Sequence, residues 1–216
     1  MISLIILDLD GTLYNFDGDS SLGFTASKFY KEIKNRAHCF LSRRLLISHE
    51  EAERVYEEVK KEFAGEVSLG LEAKFGIDRY TFFGNTWNLR PEDFVEKKDL
   101  LPLVKSIDGT ASILTAAPRI WAEAVLEYLN LSEYTPNLFT GEPNLRKPNP
   151  LAFRRICDYF SVSPNDCVSI GDQIHSDILP VKALGLKTVL IRSKSSEADY
   201  CIDKLEELPE DLRIIK

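Results

Sequence analysis

The sequence predicts an α/β protein, a doubly wound parallel sheet that carries an inserted helical domain. Three observations point there. An apolar run from Ile2 to Leu7 leads straight into Asp8-Leu9-Asp10-Gly11-Thr12. Residues 20 to about 90 then show apolar positions at helical spacing. Beyond Pro91, short apolar runs alternate with helical ones, the rhythm of a parallel sheet covered on both faces.

The first strand ends in two carboxylates two positions apart, which share one side if the strand runs straight. Gly11 lets the backbone turn away, and Thr12 can close that turn. At the carboxyl end of a parallel strand, such a pair suits binding a divalent cation and attacking an electrophile, although an ordinary Asp-Gly turn would look the same.

Phe29, Ile33, Ala37, Phe40 and Leu41 mark the first helix of the insertion. Ser48-His49-Glu50-Glu51 has the capping-box arrangement and opens a second helix through Val55, Tyr56, Val59 and Phe63. Short helices are predicted over 69–75 and 79–87. The remainder predicts helix over 100–104, strand over 111–114, helix over 120–129, and a short strand at 138–139. Helix over 150–160, strand over 167–170, helix over 178–184 ending at Gly185, and strand over 187–191 follow. The α/β core is thus assigned to 1–16 and 91–216 and the helical insertion to 17–90, a lid over the carboxyl edge of the sheet.

With 216 residues, 44% of them hydrophobic and 10% aromatic, the chain can bury a substantial core. A formal net charge of −7 argues against a nucleic-acid polymer or an anionic membrane as partner. Cys39, Cys157, Cys167 and Cys201 lack CxxC spacing, which fits buried free thiols in a reducing, cytoplasmic setting. The six-residue apolar run at the N-terminus is too short for a membrane span and lacks the basic flank of a signal peptide.

Each later strand also leads into a polar group. The run Ile113-Leu114 ends in Thr115, whose hydroxyl can donate to a phosphoryl oxygen, as can the backbone N–H of Ala116. Arg146-Lys147-Pro148-Asn149-Pro150 fixes the backbone around a lysine just ahead of a helix. Ile170-Gly171-Asp172 is followed by Asp177, and these hard oxygen ligands suit Mg²⁺, while Gly171 permits close approach. Asp177 could equally be a plain helix cap.

The order of acid pair, hydroxyl, lysine and acid pair, each on a loop after an apolar strand, resembles the haloacid dehalogenase (HAD) superfamily of phosphohydrolases across the whole chain. That resemblance implies a Rossmann-like core, a helical cap and a small-molecule phosphomonoester as substrate. It implies Asp8 as the nucleophile that becomes an aspartyl phosphate, and Asp10 as the acid and base. It further implies Mg²⁺ held by Asp8, the Asp10 carbonyl and Asp172, with Thr115, Ala116 and Lys147 on the phosphate. Asp177, Gly171 and Thr12 support the site, Asp177 through Lys147 or a metal-bound water. Dehalogenases lack an acid at the position of Asp10, so hydrolysis is favoured. The usual Asn or Gly after the second-motif hydroxyl is replaced by Ala116, which removes a side-chain amide.

Substrate choice is expected from the cap and from the loop Leu13 to Asp17. The cap is loosely similar to pyrimidine 5′-nucleotidase-like members, which suggests a nucleoside 5′-monophosphate. Phosphoglycolate and sugar phosphates are the alternatives, as is a phosphomutase like β-phosphoglucomutase. Tyr14, Phe24, Tyr30, Phe83 and Trp87 could stack a base but fit cap core better. His38 and His49 are expected at the surface or in the core, and His175 lies within the fourth motif. A phosphoryl-accepting signalling domain would use similar residues, but in a shorter chain and without a cap.

Overall fold

The computed structural model describes residues 2–16, 24–107, 109–142 and 144–208. Asp17, at the end of the expected substrate loop, lies outside them. The chain divides into two compact units, one of Met1–Asn15 with Val95–Lys216 and one of Phe16–Phe94. Phe16 and Phe94 fall in the second unit because both rings pack on Phe29, with centroids 5.2 and 5.4 Å away.

The first unit is a six-stranded, all-parallel sheet in the order β3-β2-β1-β4-β5-β6. Its strands are β1 (Leu4–Leu7), β2 (Thr110–Leu114), β3 (Leu138–Phe139), β4 (Cys167–Gly171), β5 (Lys187–Ile191) and β6 (Tyr200–Ile202). Every residue of β1 is buried, as a central parallel strand covered on both faces requires. Leu4 and Ile6 pack with Leu114, Phe153, Ile156, Cys157, Cys167, Val181 and Leu186. The chain runs outward from β1 to β3 and then resumes on the other side of β1 with β4. The direction therefore reverses between β1 and β4, which is where open α/β sheets keep their ligand crevice.

The helices of this unit are α5 (Leu101–Ser106), α6 (Arg119–Tyr128), α7 (Pro150–Tyr159) and α8 (Leu179–Lys182). α8 departs from the expected helix over 178–184. Residues Ile174–Ile178 instead form one wide turn, with the Leu179 N–H bonded to the Ile174 carbonyl five residues back. Pro180 in the first turn of α8 has no N–H to give to Ser176, so a regular helix cannot run back through the turn. β6 was not expected, since three residues at a sheet edge carry no readable periodicity.

The second unit is helical, with α1 (Lys28–Leu45), α2 (His49–Glu62), α3 (Val67–Phe75) and α4 (Arg79–Thr86). Ser48 accepts from the Glu51 N–H while the Glu51 carboxylate accepts from the Ser48 N–H, completing the capping box at the start of α2. Phe40, Leu41, Tyr56, Val59, Leu71 and Phe82 build its core. Trp87 stacks on Phe24 and meets Phe29 and Phe83 edge-on, so these aromatics pack on one another.

Cys157 and Cys167 are buried with their sulfurs 3.5 Å apart, but Cys39 and Cys201 are exposed, so only part of the buried-thiol expectation stands. Among the described residues, no helix is long and apolar enough to cross a membrane.

Candidate active site

β1 stops at Leu7, so strand alternation does not place Asp10. The Asp8 N–H donates to the Ile170 carbonyl at 2.9 Å, a last link to β4. The chain then turns: the N–H groups of Thr12 and Leu13 both bond the Leu9 carbonyl, and Gly11 takes φ +87°. The turn brings the Thr12 hydroxyl back to Asp8 Oδ2 at 2.8 Å.

Asp8, Lys147 and Asp177 form a buried row. Lys147 Nζ donates to Asp8 Oδ1 and to Asp177 Oδ1, both at 2.6 Å, and the lysine is only 5% exposed. Burial disfavours its charge, but the carboxylates of Asp177 and Asp8 more than reverse that and hold the ammonium above the usual lysine range. Asp177 reaches inward from the wide turn before α8. Its backbone carbonyl accepts from Ser169 Oγ at 2.9 Å, and its Oδ2 accepts from the Gln173 N–H at 3.0 Å. Gly171 makes room for it, because a Cβ there would lie 2.2 Å from the Asp177 carboxyl carbon. Asp177 is therefore no helix cap: α8 begins with Ile178 at its N-cap and no side-chain cap bond.

Asp10 is held by three donors. Thr115 Oγ1 donates to Oδ2 at 2.8 Å, Trp121 Nε1 donates to Oδ1 at 2.9 Å, and the Tyr14 hydroxyl also donates to Oδ1. Burial raises the Asp10 carboxyl above its ordinary value and Asp8 adds to the shift, while the three hydrogen bonds oppose it. The same burial and the neighbouring Asp10 push the Tyr14 phenol well up, so it remains a donor. Trp121 projects from the first turn of α6, which is pinned by the Arg119 N–H donating to Glu142 Oε1 at 2.5 Å.

Thr115 differs in detail from its expected part. Its hydroxyl proton goes to Asp10, and its oxygen accepts from the Ala117 N–H at 2.9 Å. Donation to a phosphoryl oxygen would require giving up the bond to Asp10. Ala116, beside it, is exposed.

Asp172 follows β4 and faces the turn after β1. A Cβ on Gly11 would lie 2.4 Å from Asp172 Oδ2, so glycine is needed for the carboxylate to reach the site. Asp172 Oδ1 is buried without a hydrogen-bond partner. Burial, together with repulsion from Asp8 and Asp177, raises its carboxyl to about 7 despite Lys147. Asp8, Asp172 and Asp177 can each offer a ligand atom within 4.8 Å of the others. An orphaned buried carboxylate oxygen in such a set fits a hard divalent cation. Since Lys147 and Gln173 engage both oxygens of Asp177, Asp8 and Asp172 are the better candidates to hold it.

The structure thus brings Asp8, Asp10, Thr12, Thr115, Lys147, Gly171, Asp172 and Asp177 together, and it leaves His175 exposed on the wide turn. Tyr14 belongs to the α/β unit and bonds Asp10, so it is not cap core. Trp121 and Arg192 escaped sequence reasoning. Arg192, in the left-handed region at φ 62°, sends its guanidinium to the Gly11 carbonyl and so ties down the turn. Tyr14 had a local signal, four residues past Asp10; the other two had none.

The family model of haloacid dehalogenase-like hydrolases matches residues 2–185. Glyceraldehyde 3-phosphate phosphatase from Pyrococcus furiosus is 31% identical over 126 residues, covering 54% of this chain and 52% of that protein. N-acylneuraminate-9-phosphatase from Mus musculus is 34% identical over 83 residues, covering 35% of this chain and 34% of that protein. The chain therefore spans about half the length of the first relative and about a third of the second. A HAD phosphatase structure from Thermococcus onnurineus aligns with a TM-score of 0.68 at 21% identity, covering 98% of both chains. A haloacid dehalogenase-like protein from Agrobacterium tumefaciens aligns at 0.58 and 19% identity, covering 100% of this chain and 99% of that one. At these identities, the two structures speak for the fold.

Proposed function

The chain belongs to the haloacid dehalogenase-like hydrolases, and on that premise we propose that it hydrolyses small phosphomonoesters through a covalent intermediate on Asp8. The observation that carries this reading is the pairing of two buried carboxylates in different surroundings. Asp8 accepts a hydrogen bond from the buried Lys147 ammonium at 2.6 Å, whereas burial raises the proton affinity of Asp10.

In the first half-reaction, an Asp8 oxygen forms a bond to phosphorus as the ester P–O bond breaks in line, and the leaving oxygen takes a proton from Asp10. In the second, water attacks phosphorus and gives its proton to Asp10. Phosphate departs and the Asp8 carboxylate is restored. Lys147 stays beside the reacting oxygens and offsets their charge. Tyr14, Trp121 and Thr115 fix the direction in which Asp10 hands over its proton. A Mg²⁺ held by Asp8 and Asp172, with the Asp10 carbonyl, would offset the charge of an incoming phosphate dianion.

For the substrate, the two named relatives favour a phosphorylated sugar or sugar acid over the nucleoside 5′-monophosphate suggested by the cap sequence. The test is phosphate release with Mg²⁺ against triose phosphates, sugar phosphates, phosphoglycolate and nucleoside monophosphates. Asp8→Asn serves as the blank. We expect preference for the phosphorylated sugars and no release by the variant; wild-type rates in Asp8→Asn would remove the covalent mechanism.

A further inference from the structure

The helical unit gathers a second set of metal-ligand side chains. His49 opens α2 and Glu53 follows four residues later, so the two share one face of that helix. His38 comes to them from the buried side of α1. Each of the three can offer a ligand atom within 4.8 Å of the others. Glu53 Oε1 lies between the rings, 3.3 Å from His38 Nδ1 and 3.9 Å from His49 Nδ1.

These separations suit a shared ion. Zinc bonds of about 2.0–2.2 Å to nitrogen and oxygen place neighbouring ligands roughly 3.3–3.5 Å apart in a tetrahedron. One edge is already at that length, and the other closes with a small rotation of the exposed His49. A plain ion pair explains the cluster less well. His38 is 3% exposed; its Nε2 is buried without a hydrogen-bond partner, and its Nδ1 meets only the Glu53 carboxylate, at 3.3 Å and without good hydrogen-bond geometry. Burying an unsatisfied imidazole is costly, and nearly all such groups find a partner. Glu53, Lys34 and His49 are the charged and titratable groups that act on His38. Lys34 itself is occupied, its ammonium 2.6 Å from Glu57. The Tyr56 ring meets His38 edge-on at 5.2 Å and fixes the plane of the imidazole.

We propose that His38, His49 and Glu53 bind a zinc-class divalent transition ion that clips α1 to α2, with a fourth position open to water. Two imidazoles and a carboxylate suit zinc better than the harder magnesium expected at the all-carboxylate site. The clip is independent of the proposed phosphatase chemistry.

The test uses the full chain, stripped of metal and held in excess Mg²⁺ so that the carboxylate site is filled. Cobalt(II) is added and its visible absorption followed, and Zn²⁺ is then used to displace it. We expect about one equivalent bound with the intense bands of a tetrahedral site, and a rise in melting temperature with Zn²⁺. Asp8→Asn should keep both signals. His49→Ala and Glu53→Gln, which alter exposed residues and spare the fold, should each weaken Zn²⁺ binding at least about tenfold and abolish the melting shift. Equal zinc binding by His49→Ala and wild type, or loss of the bands in Asp8→Asn, would overturn the proposal. So would absence of zinc binding at micromolar concentration.

Discussion

Trp121 Nε1 donates to Asp10 Oδ1 at 2.9 Å, so a helix that follows β2 steers an acid that follows β1. The indole is fully buried and gives its N–H to Asp10 and to the Tyr14 hydroxyl, at 2.9 and 3.1 Å. Asp10 is consequently aimed from the side, by groups outside the motif that contains it.

Trp121→Phe keeps an aromatic ring and removes that donor. With one fewer hydrogen bond to its charged form, Asp10 should bind its proton more tightly. We expect kcat to fall about tenfold with little change in KM, and the pH–rate profile to move to higher pH. Steady-state kinetics across pH will decide: a loss of stability with an unmoved profile would reduce Trp121 to a packing role.

Lys147→Met should leave Asp8 and Asp177 buried without their cation. Breaking such a pair from one side costs about 3–5 kcal/mol. Urea unfolding should show that loss, and adding Asp177→Asn to Lys147→Met should recover part of it. A double variant as unstable as the single one would mean that the cost arises from packing.

Metal-free stability should fall as pH rises. Asp172 titrates near its ordinary value of 3.8 in the unfolded chain and near 7 in the fold. Between those values the folded protein holds a proton that the unfolded chain has released, so each pH unit upward costs up to about 1.4 kcal/mol. Asp10 and Asp177, also raised chiefly by burial, act with the same sign. Denaturation in EDTA at pH 5, 6, 7 and 8 should show the decline, Asp172→Asn should flatten it, and Mg²⁺ should reverse it at pH 8.

Gly11→Ala should impair cation binding more than folding. The added methyl group meets the Asp172 carboxylate at 2.4 Å, and the position has φ +87°. We expect a stability loss of about 1–2 kcal/mol and a weaker Mg²⁺ requirement curve, measured as the Mg²⁺ concentration giving half-maximal phosphate release. An unchanged curve would show that Asp172 does not hold the ion.

All four helices of the insertion were legible, α1 and α2 from apolar periodicity and the Ser48 capping box, and so were β1 to β5 from short apolar runs, but the order in which the strands lie in the sheet was not. The residues that converge on the site were readable, since Asp8, Thr115 and Asp172 each directly follow an apolar strand, and the carboxyl ends of parallel strands share one edge of the sheet. Trp121 was not readable: in the sequence it is one more apolar residue on the buried face of α6, and its N–H matters only once that helix docks. Tyr14 was misread because an aromatic residue near a helical insertion suggests packing. The wide turn before α8 depends on a competition between Pro180 and the inward pull of Asp177, which no local pattern records.

The central position of β1 bears on how the chain is made. β1 leaves the ribosome before either of the strands it pairs with, and those neighbours begin at Thr110 and Cys167. Meanwhile an apolar Leu-Ile-Ile-Leu segment waits with bare edges, which is a hazard for aggregation. The helical unit is made in that interval from elements adjacent in sequence, and its folding shortens the loop that β1 and β2 must close. Nascent chains arrested at about residue 150 should resist protease within the helices yet remain cleavable at β1, and they should depend most on chaperones at that length.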